Sequence, residues 1–194
     1  TMDNAFVFIV STLVNLYIIA FIVRIILQSQ RADTRNPMVQ FILKVTNPLV
    51  LPLRRYMPSA YGLDTSSLVV AVVFKAAEFG LLLTILCNST PGFAALAGMT
   101  FFGLLRTVLN LYFFLVLMSV IMSWVSTGSY NPAAMLVNKL AEPVLSPFRK
   151  LIPPIGGIDI TPILAIIAIQ ALTMLLPQGQ FFAGLGCPPA VAMI

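Results

Sequence analysis

The chain contains a long internal repeat, which restricts it to folds that use one structural unit twice. Residues 15–64 align without a gap on residues 110–159, at a constant shift of 95 positions. Identical residues at this spacing include Asn15 and Asn110, Pro48 and Pro143, Arg54 and Arg149, and Asp64 and Asp159. Because a repeat defines the structural unit, we predict two half-domains, residues 1–94 and 95–194. Each half holds an apolar segment, a proline-rich basic connector and a second apolar segment.

Long apolar stretches indicate that the chain crosses a membrane. It is 59% hydrophobic and 9% charged, whereas soluble domains carry about 25% charged residues. A membrane-spanning helix needs about 20 mostly apolar residues. Four stretches come close to this length or exceed it: residues 5–27, 66–86, 101–124 and 160–176. We therefore predict an all-α integral membrane protein with four transmembrane helices, two from each repeat.

The distribution of basic residues predicts the orientation in the membrane. The connectors, residues 28–65 and 125–159, hold Lys and Arg, whereas both tails and residues 87–100 hold none. Cytoplasmic loops carry the excess of Lys and Arg, so we expect cytoplasmic connectors and both termini outside. Two spans per repeat make the halves parallel repeats, related by an axis along the membrane normal. Arg24, at the inner end of the first span, is expected to snorkel to the headgroups.

The residue types exclude several kinds of chemistry. The chain has no His and only two cysteines, Cys87 and Cys187. This excludes a c-type haem attachment site, a Cys/His zinc site and a His-based triad within the chain. We therefore predict that the chain is not an enzyme and carries no cofactor. Both cysteines fall on the outer side, where an oxidising compartment can join them in a disulfide. The alternative is two unrelated small apolar residues.

Each connector begins with a pattern typical of an amphipathic helix at the membrane interface. Asn-Pro, at residues 36–37 and 131–132, suits an N-cap followed by proline at the first helical position. Apolar residues then recur at i, i+3, i+4 and i+7, which suits an interfacial helix. We expect this helix to end before Pro48 or Pro143, because proline lacks an N–H and disfavours helix at the preceding residue.

Basic side chains of the connectors are the candidate binding residues for partners or lipid. One interpretation is anchoring to anionic lipid headgroups, at about 1 kcal/mol per basic residue. The other is docking of an acidic cytoplasmic protein. The residues concerned are Arg54, Arg55, Arg149, Lys150, Lys44 and Lys139. Direct nucleic-acid binding is not expected, because an apolar stripe accompanies the charge.

Asp64 and Asp159 directly precede the second apolar segment of each repeat. One interpretation is a helix N-cap, where a carboxylate accepts from free N–H groups and opposes the positive helix end. An ion pair with Arg54 or Arg149 would also lock each connector against its span. Both roles are compatible with this position.

The second connector carries a long motif that identifies a family resemblance. Residues 147–162 read Pro-Phe-Arg-Lys-Leu-Ile-Pro-Pro-Ile-Gly-Gly-Ile-Asp-Ile-Thr-Pro, which resembles the signature of the YggT (YlmG) family. The first copy departs from it, with Ser-Ala-Tyr at residues 59–61 in place of Pro-Ile-Gly, and Ser67 in place of Pro162. The resemblance implies a bacterial inner-membrane protein with no assigned catalytic chemistry. In such a membrane, the outer side predicted for both termini by the basic residues is the periplasm. It also implies a context in cell division, cofactor assembly or osmotic stress.

Polar residues inside the predicted spans allow three interpretations. Lys75 and Glu78, at i and i+3, share a helix face and can pair. Charges at membrane depth usually face the protein interior or water. Asn15 and Asn110 recur in the first span of each repeat, so we expect them to face each other, and Arg106 lies in the third span. These residues indicate a buried network that fixes helix register, an ion or proton pathway, or a patch covered by a partner membrane protein.

The leading functional prediction is a non-enzymatic membrane adaptor or assembly factor that binds proteins or lipids through its connectors. The expected partners are anionic lipids together with other membrane proteins or further copies of this chain. The alternative is an oligomeric ion channel or transport component, or its regulator. It requires an oligomer because four short spans leave little room for a pore.

Overall fold

The described part of the chain consists of α-helices joined by short non-helical segments. In the computed structural model, the described residues are 2–57, 63–87, 90–125, 131–151 and 159–177. They form, in chain order, the helices α1 (Met2–Ser29), α2 (Pro37–Arg54), α3 (Thr65–Leu86), α4 (Phe93–Val125), α5 (Pro132–Leu151) and α6 (Thr161–Met174). The predicted all-α class is confirmed.

Three helices, α1, α3 and α4, are long and apolar enough to cross a membrane. The predicted spans 5–27, 66–86 and 101–124 lie within them. Large apolar side chains on their surface are exposed, as lipid-facing residues would be, including Phe8, Leu13, Phe101 and Phe114. Helix α6 is equally apolar but has 14 residues. That is about 21 Å of helix against a hydrocarbon core of about 30 Å, so the fourth span stays a prediction.

The two repeats have the same order of elements, a long apolar helix, an amphipathic helix and a second apolar helix. Helix α1 packs on α2 and α3, whereas α4 packs on α5 and α6. Contacts of α3 with α4 and of α2 with α5 join the halves. The main core combines Ile18 and Phe21 of α1 with Val116 of α4 and Ala165 of α6. The sequence repeat is therefore also a repeat of structure.

The connector helices begin as predicted and meet at their first turns. Asn36 caps α2 by accepting from Met38 N at 2.9 Å, and Asn131 accepts from Ala133 N at 3.0 Å. Asn36 Nδ2 also donates to Pro132 O at 2.9 Å. This last bond links the start of one connector to the start of the other.

The prediction that proline ends each connector helix is wrong. Helix α2 continues through Pro48 and Pro52, and α5 continues through Pro143 and Pro147. In α2 both prolines are exposed and lie four residues apart, on the side opposite the buried Val50. The helix carbonyls that lose their N–H donor therefore face outward, where water or headgroups can bond them. Packing of the buried side on α1 and α3 holds the helix together.

Candidate functional site

Asp64 is the centre of a buried ion cluster where α1, α2 and α3 meet. Its side chain is 1% exposed. Its Oδ2 accepts from Arg24 Nε at 3.0 Å, from Arg54 Nη2 at 3.2 Å and from Ser67 Oγ at 2.9 Å. Its Oδ1 lies 3.5 Å from Ser67 N and caps α3. Both expected contacts of Asp64, with the helix end and with Arg54, are thus present.

Arg24 is the member of this cluster that sequence reasoning missed. We expected it to reach the headgroups, but it is 3% exposed, and its Nη1 donates to Thr46 Oγ1 at 2.7 Å and Asn47 Oδ1 at 2.8 Å. The expectation was wrong because Asp64 and two polar residues of α2 supply these partners inside the protein. One signal was available in the sequence. The repeat aligns Arg24 with Ser119, so this arginine is specific to the first copy.

The second repeat builds a looser version of the same junction. Arg149 Nη1 lies 3.0 Å from Glu142 Oε2, and its Nε lies 3.4 Å from Asp159 Oδ2. The Arg149 and Asp159 side chains are 46% and 42% exposed. Asp159 Oδ1 accepts from Thr161 N at 2.9 Å and from the Thr161 hydroxyl. The N-cap residue of α6 is Ile160, so Asp159 bonds the first turn from one position earlier than expected.

Charge around Asp159 affects its protonation. The hydrogen bond from the Thr161 hydroxyl, together with the neighbouring Arg149 guanidinium, lowers the pKa of Asp159 below its ordinary value. The exposure of the pair lets solvent screen the attraction. The two repeats thus hold the same Asp–Arg contact, buried in one and exposed in the other.

A second polar cluster lies between α1 and α3. Lys75 Nζ lies 2.9 Å from Glu78 Oε2 and donates to Asn15 Oδ1 at 2.9 Å. Asn15 Nδ2 donates to Glu78 Oε1 at 2.5 Å. Lys75 and Glu78 are each 6% exposed. The predicted Lys75–Glu78 contact is present, and the amide of Asn15 completes a closed triangle of hydrogen bonds that joins the two helices.

The other two polar residues predicted inside the spans, Asn110 and Arg106, lie on α4. We expected Asn110 to face Asn15, but Asn110 is exposed on α4 and Asn15 bonds α3 instead. Helix α1 makes few contacts with α4 compared with α3, so the two asparagines do not meet. Arg106 is half-buried on α4. The triangle of Asn15, Lys75 and Glu78 therefore lies within the first repeat, and Asn110 is not part of it.

The remaining candidate binding residues are on the connector surface. Lys44, Arg55, Lys139 and Lys150 are all exposed. Within the described ranges none of them has an ion pair. The six candidates therefore divide into two arginines that hold Asp64 or Asp159 and four cations that hold no carboxylate in the described chain.

Cys87 follows α3 and is disulfide-bonded, and Cys187, its predicted partner, lies outside the described residues. Among the residues that the structure describes, no group of three His, Cys, Asp or Glu is placed to hold a metal ion.

Comparison with known proteins explains the repeat. The family model CCB3/YggT matches twice, at residues 3–85 and 98–180, with the same 95-residue shift as the sequence repeat. The chain belongs to the CCB3/YggT family. The resemblance drawn from the motif at residues 147–162 is confirmed, and both halves are copies of the family unit.

Relatives in the family match over most of their length. An uncharacterized protein of Pseudomonas aeruginosa is 42% identical over 175 residues, which cover 90% of this chain and 89% of the relative. Uncharacterized protein YggT of Escherichia coli is 35% identical, with 88% of each chain covered. YlmG homolog protein 2, chloroplastic, of Arabidopsis thaliana is 34% identical over 44% of this chain and 36% of its own. No solved structure matches this CCB3/YggT chain.

Proposed function

We propose that the chain is a non-enzymatic adaptor or assembly factor of the bacterial inner membrane. It binds an acidic protein partner or anionic lipid through its two connector helices. The observation that carries this proposal is the set of four exposed cations without a carboxylate partner in the described chain: Lys44, Arg55, Lys139 and Lys150. Lys44 lies on α2 and Arg55 at its C-cap, whereas Lys139 and Lys150 lie on α5, which packs against α2.

The burial pattern of the connectors supports a binding role for these charges. Val50 of α2 and Leu140 of α5 are buried and fix each helix to the core. The four cations lie outside this packing, so the fold does not need them. Phe41 is exposed one helical turn before Lys44. An apolar side chain beside a cation suits the membrane interface or a partner's apolar contact.

The proposed orientation follows from the same residues. Three long apolar helices flank the basic connectors, and basic loops stay in the cytoplasm. The connectors would then meet cytoplasmic proteins and the anionic inner leaflet. Cell division, cofactor assembly and osmotic stress are the contexts in which a partner should be sought.

The test is a charge reversal restricted to the four unpaired cations, with Glu replacing each. Arg54 and Arg149 are left intact because they hold Asp64 and Asp159. The matched control exchanges Lys and Arg at the same four positions and so keeps every charge. After mild crosslinking in the native membrane, we expect a stoichiometric partner to co-purify with wild type and control but not with the reversed variant. Co-purification of the same partner with all three proteins contradicts the proposal.

The alternative is an oligomeric ion conductance or its regulator. The buried triangle of Lys75, Glu78 and Asn15 favours it, because charges at membrane depth often mark ion or proton pathways. Ion flux into proteoliposomes should then disappear in the variant Lys75→Met with Glu78→Leu. The adaptor proposal expects no flux in wild type and unchanged partner co-purification in this variant.

A further inference from the structure

An open pocket of about 410 Å³ lies between the end of α1 and α2. Binding sites for small ligands usually measure about 300–1,000 Å³. Three arginines line it, Arg24, Arg31 and Arg54, together with the amide of Gln28. Apolar side chains, among them Leu27, cover another part of the wall.

Apart from the Thr34 hydroxyl, the polar side-chain groups at this pocket that lack a hydrogen bond in the described chain are N–H donors. Arg24 uses Nε and Nη1 for Asp64, Thr46 and Asn47, and its Nη2 has no partner among the described residues. Arg54 uses only its Nη2, which donates to Gln28 Oε1 at 3.1 Å and to Asp64.

The amide NH₂ of Gln28 and the guanidinium of Arg31 make no hydrogen bond within the described chain. Asp64 supplies one negative charge against three positive ones. The pocket therefore offers several N–H donors and an excess of positive charge.

Backbone geometry at Arg31 gives an independent observation. Arg31 N donates to Gln28 O at 3.1 Å and Ala32 N donates to Leu27 O at 3.0 Å, the two bonds of a Schellman motif that ends α1. The residue at this position has φ 48°, where glycine is usual because a Cβ costs about 1–2 kcal/mol. An arginine that breaks a local rule at a ligand-sized pocket indicates a functional constraint.

The second repeat shows that the fold does not require this set of donors. Serines stand at the positions of Arg24, Gln28 and Arg31, as Ser119, Ser123 and Ser126. Of the three pocket arginines, Arg54 alone has an arginine at its position in the second repeat, Arg149. The charge of Arg149 is balanced there by Glu142 and Asp159. One copy of the unit therefore concentrates donors that the other copy lacks.

We propose that this pocket binds a phosphate group, carried by an anionic lipid headgroup or by a small phosphate compound. Guanidinium groups suit phosphate because their planar N–H forks match its oxygens. The apolar wall beside the donors would accommodate the glycerol and first methylenes of a lipid. The assignment deepens the proposed function and rests on it, since it gives the first connector a defined ligand.

The test is native mass spectrometry of the purified full chain in neutral detergent. The probes are dioleoylphosphatidylglycerol, dioleoylphosphatidylcholine and inorganic phosphate. We expect saturable binding of one phosphatidylglycerol or one phosphate per chain. Arg31→Gln should weaken it by about 10-fold or more, the loss of one charged hydrogen bond. The matched control is Arg35→Gln, which removes the same charge four residues away, outside this pocket. It should change the affinity less than twofold.

A further variant separates binding from folding. Arg31→Gly relieves the φ 48° backbone, so it should melt no lower than wild type yet bind as weakly as Arg31→Gln. Phosphatidylglycerol binding without phosphate binding assigns a lipid headgroup, and comparable binding of both assigns a small anion. Equal losses of affinity in Arg31→Gln and Arg35→Gln overturn the pocket assignment. So does the absence of saturable binding for both phosphatidylglycerol and inorganic phosphate. The four-cation reversal tests the adaptor proposal separately, because it leaves Arg24, Arg31 and Arg54 in place.

Discussion

Replacement of Asp64 should be far more damaging than replacement of Asp159, although the internal repeat places them at equivalent positions. Asp64→Asn keeps the shape but leaves Arg24, 3% exposed, without a negative partner. Breaking a buried ion pair in this way costs about 3–5 kcal/mol. Asp159→Asn breaks a pair that is 46% and 42% exposed, and exposed pairs contribute at most about 1 kcal/mol. We therefore expect a difference of at least about 2 kcal/mol between the two variants.

The assay is denaturant unfolding of the purified chain in mixed micelles, followed by far-ultraviolet circular dichroism. A third variant combines Arg24→Met with Asp64→Leu, which removes both buried charges. It should recover most of the stability lost in Asp64→Asn, because two apolar residues leave no buried charge uncompensated. Equal losses for Asp64→Asn and Asp159→Asn, or no recovery in the double variant, would refute the account of the cluster.

The other predictions concern helix contacts and pH. Lys75→Met should lower the free energy of unfolding by about 3–5 kcal/mol, because Glu78 stays buried without its ion-pair partner. Adding Glu78→Leu should restore most of this stability, and thermal melting measures both changes. Gly103→Ala should lower the free energy of unfolding by about 1–3 kcal/mol, because the added Cβ would lie 2.5 Å from a ring carbon of Phe79 in α3. Gly80 has open space around it, so Gly80→Ala should not destabilise the chain in the same melts. Because its pKa is lowered, Asp159 stabilises the fold above its ordinary pKa of 3.8. This contribution should be lost as pH falls through the folded-state pKa, so wild type and Asp159→Asn should converge in stability in acid.

Local patterns in the sequence predicted local contacts well. Lys75 and Glu78 are three residues apart on one helix, so periodicity alone brings them together. Asp64 and Arg54 are both close to the end of the first connector, and each was a natural partner for the other. The N-caps at Asn36 and Asn131 followed from side-chain chemistry at a helix start. In each case the partner lay within a short stretch of chain.

Contacts that depend on helix packing were beyond the sequence. Arg24 bonds Asp64 at a separation of 40 residues in sequence. No local pattern in either segment indicates this pairing. The repeat suggested Asn110 as the partner of Asn15, but packing of α1 on α3 placed Lys75 there. The proline rule failed at Pro48 because tertiary contacts on the opposite side of α2 outweighed two missing backbone bonds.

The distance in sequence between Arg24 and Asp64 also matters during synthesis. Asp64 follows Arg24 by 40 residues, and at about 5–20 residues per second the ribosome needs roughly 2–8 s to supply it. Throughout this interval the guanidinium of Arg24, five residues before the end of α1, lacks the carboxylate that later neutralises it, and an unpaired charge is costly for a segment that enters a bilayer. The second repeat, with Ser119 at the same position, has no such delay. Biogenesis of the first repeat is therefore the step that should depend on the insertion machinery holding α1 until α3 emerges.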